Sequence, residues 1–150
     1  MTARAYRKIL VAVDGSAASS KGLREALRLA KAAGAKLCIL HVVDEFYAFA
    51  GYDGLGPTED LVPLFREGGR KVLDKAKRAA DAARVRATAV LREMIGGPAA
   101  GPIVREAKKQ RADLIVLGTH GRRGVRRLVL GSDAEQVVRT ASVPVLLVRG

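Results

Sequence analysis

The chain has 150 residues, 49% of them apolar, and a formal net charge of +12. That length fits one domain over residues 1–150, able to bury roughly two-thirds of its unfolded surface without covalent staples. The apolar share excludes a disordered chain, and no apolar run approaches the ~20 residues that a membrane span needs.

Residues 1–15 lack the pattern of a signal peptide, because the apolar core Ile9–Val13 is too short and ends at Asp14. A cytoplasmic location is therefore expected. Arg7–Val13 ends in continuous apolar residues, which suits a central parallel strand. Asp14-Gly15-Ser16 turns the chain, and either Ser16 or Ser19 can cap the helix that follows. Leu23, Ala26, Leu27 and Ala30 form its apolar face, and Gly34 ends it. Lys21, Arg24, Arg28 and Lys31 share helical spacing, as do Lys71, Lys75 and Arg78, which marks solvated faces. Leu37–Val43 reads as a second buried strand. Within it Cys38 is expected to be an inert buried thiol, and His41 a packed or capping residue.

Residues 44–60 break the rhythm. Four of the six aromatic residues, Phe46, Tyr47, Phe49 and Tyr52, lie here among glycines, and residues 44–62 carry five acids and no Lys or Arg. A loop this long either folds its aromatics over the sheet edge or serves as a lid or partner contact. A helix is expected from Leu61 to Ala83 with Phe65, Val72, Ala76 and Ala79 inward, weakened by Gly68-Gly69. Val85, Ala87, Ala89 and Leu91 alternate with polar residues, the pattern of an edge strand. Gly96-Gly97-Pro98 turns into a helix starting at Gly101 or Pro102 and carrying Ile103, Val104 and Ala107 inward. Asp113–Leu117 is the next strand. The last helix presents Ala134, Val137, Val138 and Ala141, with Ser132 and Glu135 at capping-box spacing, and Val143–Val148 closes the chain as a strand. Strands alternating with helices imply an α/β fold: a parallel sheet covered on both faces by right-handed crossovers.

Gly118–Ser132 lies between a buried strand and a helix start, and is rich in glycine and arginine. Glycines let a backbone approach a ligand, and a helix N-terminus offers unpaired N–H groups and a positive dipole end, so the stretch is a ready phosphate site. Its spacing, Gly118-x2-Gly121-x9-Gly131-Ser132, is neither a P-loop nor a dinucleotide fingerprint. It resembles the ATP-binding motif of the universal stress protein family. Ile9–Ser16, Ala112–Gly118 and Ser142–Val148 resemble that family too, in the family's order, so the likeness spans nearly the whole chain.

The resemblance implies a single-domain, open five-stranded sheet of order 3-2-1-4-5, adenine nucleotide alpha hydrolase-like, with the ligand between Val13-Asp14 and Leu117-Gly118. It implies that Gly118, Gly121, Gly131 and Ser132 hold phosphates, with Leu117, Thr119, His120, Arg122, Asp133 and Ala134 in the same binding set. Ala12, Val13 and Asp14 match positions bordering adenine and ribose, and Val42 one that lines the adenine pocket. Asp14 either accepts from the nucleoside or holds Mg²⁺, or else caps the turn. Asp133 suits the helix dipole but repels phosphate unless it points away or binds through a cation. Arg122, Arg123, Arg126 and Arg127 either neutralise a triphosphate or sit in water, and His120 is a spacer.

The expected function is that of an ATP-binding, stress-response regulatory module. The alternatives are a family member that binds no nucleotide and acts by protein contact, or a basic nucleic-acid-associated protein. Charge alone supports only nonspecific attraction, and no aromatic platform interleaves the basic residues. No catalytic constellation is legible, which leaves at most slow ATP hydrolysis. The resemblance also implies a homodimer through Val143–Val148, apolar on both faces yet at a sheet edge.

Overall fold

The computed structural model describes residues 5–46, 61–119 and 130–150. Its elements are β1 Lys8–Ala12, α1 Ala17–Ala33, β2 Lys36–Asp44, α2 Leu61–Ala82, β3 Ala87–Met94, α3 Ala100–Gln110, β4 Leu114–Gly118, α4 Ser132–Thr140 and β5 Val145–Val148. All pairings are parallel and the order is β3-β2-β1-β4-β5, as expected.

Alternation along the strands builds two cores. Ile9, Val11, Leu37 and Ile39 face α1 and α2, meeting Leu23, Ala26, Leu27, Leu73 and Ala76. Leu10, Cys38, Leu40, Ile115 and Leu117 face α3 and α4, meeting Ile103, Ala107, Ala134 and Val137. The basic series Lys21, Arg24, Arg28, Lys31 and Lys71, Lys75, Arg78 are all exposed.

Four expectations need correction. The buried face of α2 is Val62, Gly69, Leu73, Ala76 and Ala80, with Phe65, Val72 and Ala79 only partly covered. The cause is Gly69. A Cβ there would lie 2.8 Å from His41 Cδ2, 2.9 Å from Leu91 Cδ1 and 3.0 Å from Val43 Cγ2, so α2 faces the sheet here with a bare Cα. The glycine that costs helix propensity makes room for the sheet. Second, α3 begins at Ala100, before Gly101 and Pro102; Pro102 lies in the first turn, where no N–H is needed. Third, the capping box does not form. Gly131 is the N-cap of α4, Ser132 is already helical, and the Glu135 N–H bonds the Gly131 carbonyl at 2.9 Å. Fourth, Val138 is 47% exposed, because α4 buries the face that carries Ala134 and Val137 and Val138 stands to its side.

Away from the strand ends, Glu106 is 3% exposed on α3, and Arg92 of β3 grips its carboxylate at 2.8 and 3.2 Å. That pairing, joined by Gln110, holds the Glu106 carboxyl below its ordinary range against the opposing effect of burial. The Cys38 thiol is pushed up by burial, then by the nearby Glu106 charge, which fits the inert thiol expected.

Candidate functional site at the strand-order switch

The chain leaves β1 toward β2 on one side and β4 toward β5 on the other, so the carboxyl ends of β1 and β4 flank the switch point where open α/β sheets take ligands. The last β1–β4 rung is Val11↔Val116. Ala12 and Leu117 each sit one residue beyond it, leading to Val13-Asp14 and Gly118-Thr119.

On the β1 side a closed hydrogen-bond set shapes the turn. Gly15 takes a left-handed φ of +83°, which lets the chain reverse at once. The Ser16 N–H donates to Asp14 Oδ1 at 2.8 Å, the Ser19 N–H donates to Ser16 Oγ at 3.1 Å, and the Asp14 N–H donates to Ser19 Oγ at 3.2 Å. Ser16, rather than Ser19, is therefore the cap of α1. Asp14 has the turn-capping contact weighed for it above, and it remains at the strand end beside the switch.

On the β4 side the two ends of the glycine-rich stretch are clasped together. The Thr119 N–H donates to the Val148 carbonyl at 2.9 Å, and the Gly131 N–H donates to the Thr119 carbonyl at 2.8 Å. Thus Leu117, Gly118 and Thr119 meet Gly131, Ser132, Asp133 and Ala134 at one place. His120, Gly121, Arg122, Arg123, Arg126 and Arg127 lie outside the described residues. The first-turn N–H groups of α4, from Ser132 to Ala134, have no intrahelical acceptor and form the anion-seeking end of the helix.

Gly118 has a packing reason that the motif did not disclose. A Cβ on it would fall 2.7 Å from both the carbonyl carbon and oxygen of Ala18 in α1. Gly22 answers it one turn on, with the Gly118 nitrogen 3.3 Å from where its own Cβ would stand. The glycine pair lets α1 cross directly over the end of β4.

Asp133 turns its carboxylate toward a neighbour. Its Oδ1 accepts the Ala99 N–H at 2.8 Å, and Ala99 is the N-cap of α3, which has no side-chain cap of its own. The carboxylate is thereby committed to another helix start.

Val42 is partly buried on the same sheet face as Ala12. Beside it His41 is 8% exposed, with Nδ1 2.7 Å from the Val13 carbonyl oxygen. A carbonyl only accepts, so Nδ1 carries the proton. The packed or capping role read from the sequence is met, and the residue capped is the end of β1. Among the described residues no group of three or more His, Cys, Asp or Glu side chains is arranged to hold a metal, and no helix is long and apolar enough to cross a membrane.

Residues 5–149 match the family described as the universal stress protein family. The chain belongs to that family. A universal stress protein of Methanocaldococcus jannaschii is 38% identical over 144 residues, covering 96% of this chain and 82% of the relative. Among solved structures, a universal stress family protein from Burkholderia pseudomallei has a TM-score of 0.76 at 38% identity, covering 95% of this chain and 96% of that one. A universal stress protein solved in complex with cAMP has a TM-score of 0.66 at 26% identity over 96% of this chain and 97% of that one. One from Archaeoglobus fulgidus in complex with dAMP has a TM-score of 0.69 at 25% identity over 95% and 98%. The family membership read from the sequence thus holds over residues 5–149.

Proposed function

We propose that this universal stress protein binds an adenine nucleotide, ATP with Mg²⁺, at the β1–β4 switch point and acts as a cytoplasmic, nucleotide-dependent regulatory module. The observation that carries the reading is that two helices begin, α1 at Ser16 and α4 at Gly131, just beyond the carboxyl ends of the adjacent parallel strands β1 and β4. The relatives in complex with cAMP and dAMP support the adenine nucleotide class.

In this reading the backbone N–H groups of Ser132, Asp133 and Ala134, with Gly118 and Gly121, take the phosphates, and the Ser132 hydroxyl adds a donor. Arg122, Arg123, Arg126 and Arg127 neutralise the phosphate charge. Ala12, Val13 and Val42 border the base, and Asp14 lies on the ribose and cation side. Mg²⁺ takes one or two carboxylates and fills its octahedron with phosphate and water oxygens, so the Asp14 carboxylate suits it. The protein's part is to place the phosphate chain and hold its charge.

The test is to denature the purified protein and identify released nucleotide by chromatography, with thermal shift of the emptied protein in AMP, ADP and ATP. A ligand selective for the native state raises the melting temperature. If no adenine nucleotide is released and none shifts the melt at millimolar concentration, the reading fails and action by protein contact replaces it. The same reading includes a homodimer through β5. Val145–Val148 is only partly covered in the single chain and lies at the sheet edge, where a second copy would complete its burial.

A further inference from the structure

Residues of β2 alternate in the direction of their backbone groups, and the hydrogen bonds fix the phase. Odd residues face β3: the Leu37 N–H donates to the Arg86 carbonyl at 2.9 Å, and the Glu45 N–H to the Met94 carbonyl at 2.8 Å. Even residues face β1: the Lys36 N–H donates to the Arg7 carbonyl at 3.0 Å, and the Leu40 carbonyl accepts from the Val13 N–H at 2.8 Å. Val42 is the next residue in the β1-facing series. In a regular parallel ladder its N–H would take the Val13 carbonyl.

That rung is absent. The β1–β2 register ends at Ala12↔Leu40, and the Val13 carbonyl is held instead by His41 Nδ1 at 2.7 Å. The imidazole fits there because α2 presents Gly69, where any Cβ would come within 2.8 Å of His41 Cδ2. So the ring is fixed between β1, β2 and α2. The amide of partly buried Val42, beside the end of β1, is left without its ladder acceptor.

We propose that His41 is a positioning residue for the nucleotide base: by taking the Val13 carbonyl it stops the β1–β2 ladder one rung early and keeps the Val42 N–H for a ring-nitrogen acceptor of the ligand. This rests on the adenine nucleotide reading. What is new is that a neighbouring side chain sets the availability of this backbone amide. Without the His41 donor, the Val13 carbonyl is free to take the Val42 N–H, and the edge zips shut.

Two variants test this. His41→Leu removes the donor and keeps an apolar filler. His41→Asn puts its amide nitrogen close to where Nδ1 sits, restoring the donor to Val13. Amide hydrogen exchange at Val42 is followed in the nucleotide-free protein, and AMP affinity is followed by calorimetry. In His41→Leu the Val42 amide should exchange roughly tenfold more slowly as the rung forms. AMP should bind about tenfold more weakly, the ratio that losing one ordinary hydrogen bond gives. His41→Asn should restore both values, which a merely structural defect in the core would not do. Equal Val42 exchange in wild type and His41→Leu overturns the inference, whatever the nucleotide does. Slowed exchange with unchanged AMP affinity overturns the link to the base. If wild type binds no adenine nucleotide, the functional reading fails by itself, and slowed exchange then still supports the control of the edge by His41. If His41→Leu fails to fold, His41→Asn decides: fast Val42 exchange with AMP affinity retained supports the inference, and loss of either contradicts it.

Discussion

Replacing Gly118 by alanine perturbs a residue where the binding motif and the packing of α1 coincide. The added methyl would stand 2.7 Å from the carbonyl carbon and oxygen of Ala18, both main-chain atoms, and 3.0 Å from the Ala18 Cβ. No rotamer change relieves contact with backbone, so α1 has to move away from β4. Overpacking of this kind costs about 2 kcal/mol. Stiffening of the unfolded chain by alanine returns roughly 0.5 kcal/mol, leaving a net loss of about 1.5 kcal/mol. For a chain of this size that lowers the melting temperature by about 3–6 °C. Urea denaturation and thermal melts of the nucleotide-free protein measure it directly. Ala18→Gly in the Gly118→Ala background should restore little, because the closest contacts are with atoms every residue has. A Gly118→Ala protein as stable as wild type would refute the reasoning. It would mean that the glycine answers to the ligand alone.

The paired glycines of α2 should respond with opposite signs. Gly68→Ala, with nothing within 4 Å of its Cβ position, should gain about 1 kcal/mol, while Gly69→Ala should lose stability against His41, Val43 and Leu91; denaturant midpoints compare them. Asp133→Ala should cost about 1 kcal/mol through the lost bond to Ala99, with protection of the first α3 amides falling in hydrogen exchange. Arg92→Leu should cost about 2 kcal/mol at neutral pH by stripping the buried Glu106 carboxylate. Because the folded Glu106 carboxyl lies below its ordinary value, chiefly through the Arg92 hydrogen bonds, its stabilisation is present above about pH 4.3 and is lost as pH falls through the folded value. The gap between wild type and Arg92→Leu should therefore close in acid, as urea midpoints across pH would record. Leu146→Asp should turn a dimer into a monomer by light scattering if β5 is the interface.

The alternation of strands and helices and the edge character of β3 were legible because each rests on local periodicity. The family motif supplied the strand order, which no local pattern contains. What the sequence concealed depends on distance across the fold. Gly69 reads as a weak point in a helix, and only the approach of His41 and Leu91 shows why a side chain is excluded there. Gly118 reads as a phosphate glycine, and only the crossing of α1 shows its second constraint. The Ser132–Glu135 spacing satisfied a capping box on paper, yet Gly131 already stood one residue earlier in an extended conformation and took the cap. Asp133 gave no hint of Ala99, thirty-four residues away in the chain. His41 carried a weak signal, a polar ring inside an apolar strand, that points to a buried hydrogen bond but not to its partner.

The central claim is that an adenine nucleotide binds at the meeting of the β1 and β4 ends. Calorimetric titration of the nucleotide-free protein with ATP and Mg²⁺, beside the Gly121→Val variant, tests it most directly. A saturable heat for wild type, absent from a variant that keeps the wild-type circular dichroism and melting temperature, is the predicted result. No heat from wild type at millimolar ATP, or equal binding by Gly121→Val, would contradict it.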